Sequence, residues 1–133
     1  MNRLSAKIAL VSLVGVVGVS TLAPIASAAA PRTVTSSGRC SSGPATWRMI
    51  ATADGKKIDL EFRVVTNRPA GHRWNVRLAD NGVRIFRGTR VTDAPRGSFD
   101  VSILTANRAG VDHLVGVARY PATGQVCRGV VNF

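Results

Sequence analysis

The side chains able to do chemistry are few and badly spaced for it. His72 and His113 are the only imidazoles, and a serine nucleophile needs a histidine bonded to both its hydroxyl and a carboxylate. The chain contains no Gly-x-Ser-x-Gly turn and no other nucleophile signature. His72 follows Gly71 at a loop end and His113 follows Asp112, so both read as surface or strand-edge polar residues. Asp59 and Glu61 lie two residues apart on one strand face, about 7 Å, a separation that would suit a glycosidase pair. Arg63 beside them, with Arg73 and Arg77 expected on the facing strand, predicts cross-strand ion pairs on a solvated face instead. No calcium loop, phosphate-cradling glycine loop or dinucleotide fingerprint occurs. Cys40 and Cys127 stand far apart with no histidine near either, which is no zinc-ligand pattern. The expectation is a protein without catalytic residues, metal or cofactor.

Positive charge is the unusual feature. The chain has 18 Lys and Arg against 7 Asp and Glu. Arg84, Arg87, Arg90 and Arg96 fall in a stretch whose only acid is Asp93. Gathered on one edge, their guanidinium forks would grip phosphate or carboxylate in bidentate fashion, which predicts an anion-binding patch. The plainer reading is that GC-rich coding favours Arg and that net charge only aids solubility. Nucleic acid would satisfy such a patch physically. The chain's expected destination makes anionic envelope polymers or acidic lipid head groups more accessible.

That destination is read from the first 28 residues. Arg3 and Lys7 precede an apolar run from Ile8 to Ala23, then come Pro24 and the small residues Ala26, Ser27 and Ala28. A basic start, an apolar middle and a small-residue exit are the layout of a secretory signal peptide. The run is shorter than the roughly 20 residues of a spanning helix, and Pro24 breaks it. Cleavage after Ala28 is expected to leave a soluble, exported, monomeric domain with 16 Lys and Arg against 7 acids, a net charge of +9. Two cysteines in such a domain pair with each other, and a Cys40–Cys127 bridge would contribute about 4.5 kcal/mol through loop-closure entropy.

The elements expected to position these residues are strands. Residues 29–43 are small and Ser-rich without apolar periodicity, and they read as a flexible leader that Cys40 ties down. Residues 44–133 form the domain. Trp47, Met49 and Ala51 alternate with polar neighbours, and so do Ile58, Leu60, Phe62 and Val64. A period of two puts each set on one sheet face. Trp74, Val76 and Leu78 follow, ending at Asn81-Gly82, the strongest short hairpin signal. In the return strand, Val83 to Val91, Phe86 is out of phase with Ile85 and Gly88 follows, which suggests a bulge or a strand changing sheets. Phe99, Val101 and Ile103 mark a fifth strand, His113 to Tyr120 a sixth, and Cys127 to Phe133 the last. Seven short strands predict an all-β, antiparallel, immunoglobulin-like sandwich, with a small β-barrel as the alternative. The bridge would then pin the termini, joining the segment before the first strand to the last strand.

Trp74–Gly82, Gly97–Phe99, Gly110–Asp112 and Thr123–Cys127 carry a resemblance. The domain resembles small exported single-disulfide β-sandwich proteins of high-GC Gram-positive bacteria. The shared motifs are turns and core positions, so the resemblance implies a fold and supplies no catalytic or binding residues. The leading expectation is a secreted, non-enzymatic protein acting by surface contact with anionic envelope material or another protein. A hydrolase inhibitor presenting Asn67–His72 or Thr92–Gly97, or a carrier holding a small ligand between the sheets, are the alternatives.

Overall fold

The computed structural model describes residues 23–25 and 30–133. The expected signal peptide, apart from 23–25, lies outside the described residues. Eight strands run in chain order: β1 (Arg32–Arg39), β2 (Thr46–Asp54), β3 (Lys57–Val65), β4 (Arg73–Asp80), β5 (Val83–Val91), β6 (Ser98–Ala106), β7 (His113–Tyr120) and β8 (Gln125–Asn132). They form two four-stranded antiparallel sheets, ordered β1-β2-β3-β6 and β5-β4-β7-β8. The architecture is a β-sandwich, not a barrel, because no strand pair closes one sheet onto the other. Its strand order is not the immunoglobulin one. Immunoglobulin domains place the second strand beside the fifth, whereas here β2 and β3 are a hairpin. Among the described residues no helix is long and apolar enough to cross a membrane.

The extra strand is a correction, since Arg32–Arg39 lies inside the stretch expected to be a flexible leader. It pairs with β2 along its whole length, from Arg32 opposite Ala53 to Arg39 opposite Thr46. An edge strand buries little, so small residues suffice for it. Trp47 supplies the bulk, its ring filling the space between Gly38 of β1 and Gly129 of β8. A Cβ on either glycine would lie 2.8 Å from that ring. The added strand also changes the role of the disulfide. Cys40 stands in the β1–β2 connection of the first sheet and Cys127 in β8 of the second. The bridge therefore crosses between the sheets instead of pinning a terminus. A backbone bond from Ser41 N to Val126 O (2.8 Å) holds this loop against β8, and one from Cys40 N to Ala45 O (3.0 Å) closes the loop on itself.

The core lies between the sheets, as the alternation predicts. Leu60, Phe62, Trp74, Val76 and Phe99 are buried, together with Met49, Leu78 and Leu114. Burying one such side chain contributes about 1.5–3 kcal/mol. Trp74 stacks on Tyr120, with ring centroids 5.2 Å apart. At Asn81-Gly82 both residues take positive φ (49° and 81°), as the expected type I′ hairpin requires.

Candidate anion-binding face

The bulge anticipated in β5 decides which arginines meet. Leu78 pairs with Phe86 but Ala79 pairs with Arg84, so Ile85 is the extra residue. Paired residues in antiparallel strands point to the same side. Phe86, Gly88 and Arg90 therefore share the inward side with Leu78, Val76 and Trp74, while Arg87 and Thr89 share the outward side with Arg77 and Asn75. In an unbroken strand Arg84 would face opposite to Arg87, because the two stand three positions apart and side chains alternate with a period of two. The inserted residue reverses that parity and brings both outward.

The sequence-predicted patch is thus divided. Arg84 and Arg87 meet on the outer face of the second sheet. Arg90 turns away, its guanidinium over the Phe86 ring at 4.9 Å, with Nη1 donating to Thr89 O at 3.1 Å. Arg96 sits in the β5–β6 loop and donates from Nε (3.1 Å) and Nη2 (2.7 Å) to Asn67 Oδ1. Sequence reasoning missed the arginines that join the first two. Arg77 lies directly opposite Arg87, and Arg119 of β7 lies opposite Asn75. Arg128 of β8 pairs with Val117, itself the β7 partner of Arg77. Arg73, opposite Val91, also faces outward but stands apart from them, outside the groove described below. All six are exposed. Their outward positions were readable strand by strand, but which of them become neighbours depends on the exact site of the bulge and on the pairing of β4 with β7.

This face carries no Asp or Glu at any of its paired positions. The outer face of the first sheet differs, since Asp54, Asp59, Glu61 and Asp100 there accompany Arg39, Arg48, Lys57 and Arg63. The expected pairing of Asp59 and Glu61 with Arg73 and Arg77 does not occur, because β3 and β4 belong to different sheets. Asp59 instead faces Thr52 and Leu104, and Glu61 faces Ile50 and Ser102. Among the described residues the one salt bridge joins Arg108 to buried Asp80, at 2.7 Å.

A groove of about 550 Å³ crosses the arginine face, lined by Arg77, Arg84, Arg87, Arg119, Asn75, Thr89 and Val117. Thr89 Oγ1 donates to Asn75 Oδ1 at 3.5 Å, which leaves the Asn75 amide nitrogen free to donate outward. The groove therefore presents guanidinium, amide and hydroxyl donors to an incoming oxyanion.

No protein-family model matches this chain, and no curated protein is similar to it.

The remaining candidate groups are engaged locally. His72 Nδ1 lies 2.8 Å from the Tyr120 hydroxyl, and His113 Nδ1 lies 2.6 Å from Asn132 Oδ1. The two loops expected to serve an inhibitor are joined to each other. Thr66 N and Oγ1 donate to Gly97 O at 2.9 and 2.7 Å, and Gly71 N donates to Thr92 O at 2.8 Å. The space between the sheets, where a carrier would hold its ligand, is occupied by the core side chains described above.

Proposed function

We propose that this is an exported, monomeric, non-enzymatic binding protein whose second-sheet outer face holds an anionic polymer of the cell envelope. The observation that carries this reading is the Arg77–Arg87 pair. Like charges directly opposite one another on neighbouring strands destabilise a sheet, and no carboxylate on that face relieves them. A face built this way gains most when an external anion supplies the missing charge. Coding bias toward Arg explains the number of arginines but not their separation from every acid. The cross-sheet disulfide fits an oxidising, extracellular setting. The inhibitor reading has less support, because Arg96 is committed to Asn67 and positive φ at Asn67 (53°) bends the chain just before Arg68.

The test compares two triple variants of equal charge on an immobilised cell-wall column. Arg77, Arg84 and Arg87→Gln should elute at markedly lower salt than the parent. Arg39, Arg48 and Arg63→Gln, on the other sheet, should elute much closer to it. Equal elution of the two variants would show that only net charge matters and would end the proposal.

A further inference from the structure

We infer that the ligand of the arginine face is a phosphodiester-linked polymer with short aliphatic linkers, lying across the strands instead of along them. This rests on the anion-binding reading above and adds the chemical class and direction of the ligand. Arg87, Arg77, Val117 and Arg128 occupy one register line through all four strands. With strands about 4.8 Å apart, the line spans roughly 14 Å, and its three guanidiniums flank one apolar position. Val117 is half-buried, as are Val115, Val126 and Val130 around it. Anions at Arg87/Arg77 and at Arg128 would thus be separated by a segment resting on valine, which an aliphatic linker suits.

Phosphate is favoured over carboxylate by the way Arg77 and Arg87 stand side by side. A carboxylate offers its lone pairs in one plane and is matched by a fork laid in that plane. The two unesterified oxygens of a phosphodiester carry lone pairs spread around each P–O axis, so they accept two forks arriving in different planes. Every cation on the face is Arg, the side chain with the fork, and neither Lys56 nor Lys57 contributes. The face also carries no Trp, Tyr or Phe at its paired positions. Binding of single-stranded nucleic acid draws on aromatic stacking platforms, so recognition here falls to the phosphates.

Competition measured by fluorescence anisotropy, with the mature disulfide-bonded protein, tests this. The probes are a synthetic glycerol phosphate oligomer, poly-L-glutamate of matched charge, and oligothymidylate of matched charge. The glycerol phosphate oligomer should bind about tenfold tighter than polyglutamate, the equivalent of one added charge-assisted hydrogen bond. Five engaged arginines (Arg77, Arg84, Arg87, Arg119 and Arg128) should give a log–log salt slope of about −3.5. The double variant Arg77→Lys, Arg87→Lys keeps the charge, so its slope should hold while its preference for phosphate collapses. Arg128→Gln should lower the slope by about 0.7, and Arg73→Gln, outside both the groove and the register line, should leave it unchanged. Thermal melts of each variant establish that it is folded.

Salt-dependent binding without preference between phosphate and carboxylate would overturn this inference and leave the anion-binding face standing. Absence of salt-dependent binding to any probe would remove both. Tighter binding of oligothymidylate than of the glycerol phosphate oligomer would point to base contacts and overturn the polymer class. A slope that responds to Arg73 and not to Arg128 would overturn the direction.

Discussion

If the Arg77–Arg87 juxtaposition serves a ligand, removing it should make the free protein more stable and the bound protein impossible to form. Arg87→Glu tests both halves at once. The two residues are directly opposite on β4 and β5, a geometry in which like charges destabilise and opposite charges stabilise, each by about 0.2–1 kcal/mol. Reversing one sign removes the first effect and adds the second. Both side chains are exposed, so screening keeps the total near 0.5–1.5 kcal/mol. For a domain of about 100 residues that corresponds to a rise in Tm of roughly 2–7 °C. Thermal denaturation followed by circular dichroism in about 20 mM salt, without phosphate, should show it. In about 0.5 M salt, where the screening length falls to about 4 Å, most of the gain should disappear. Arg87→Gln, which removes repulsion without adding attraction, should fall between parent and Glu variant. The same Glu variant should lose salt-sensitive retention on the cell-wall column. A lower or unchanged Tm at low salt would refute the reasoning, because the arginine pair would then carry no unrelieved repulsion for a ligand to relieve.

Three further outcomes concern the scaffold. Phe62→Ala should destabilise by about 3–5 kcal/mol in urea titrations, since Phe62 is fully buried at the centre of the core. Cys127→Ser should lower stability by about 2–5 kcal/mol, and alkylation with mass measurement should find no free thiol in the oxidised parent. Gly97→Ala should be costlier than an ordinary loop substitution, by about 2 kcal/mol or more. Its φ is +64°, and the added Cβ would meet Arg68 O at 2.3 Å. Gly71→Ala, also at positive φ but in open space, should cost less in the same urea titration.

Much of the sandwich was legible in the chain because strand alternation is a local property. Phe62 and Trp74 announce their burial through neighbours two positions away, and Asn81-Gly82 announces its turn through its own tolerated φ. The bulge also left a trace, in Phe86 standing out of phase before Gly88. β1 left none, because an edge strand whose inward side offers half-buried Val34, Ser36 and Gly38, the last making room for Trp47, has no apolar rhythm to detect. Without β1, Cys40 looked like a terminus, and a bridge between sheets looked like a staple at the chain ends.

The site divides along the same line. Sequence alone determined the excess of arginine, the scarcity of acids to match it, and the outward phase of Arg73 and Arg77 on their strand. Grouping arginines by nearness in the chain placed Arg84, Arg87, Arg90 and Arg96 together; the fold kept the first two on one face and turned Arg90 and Arg96 elsewhere. Only tertiary structure decided that Arg77, Arg87 and Arg128 share a register line, that one inserted residue turns Arg84 to their side, and that four of the seven acids lie on the outer face of the opposite sheet. The physical reason is that neighbours across this sheet are set by the bulge inside the β4–β5 hairpin and by the pairing of β4 with β7, forty residues further along the chain. Charge at one position says nothing about what that pairing will bring beside it.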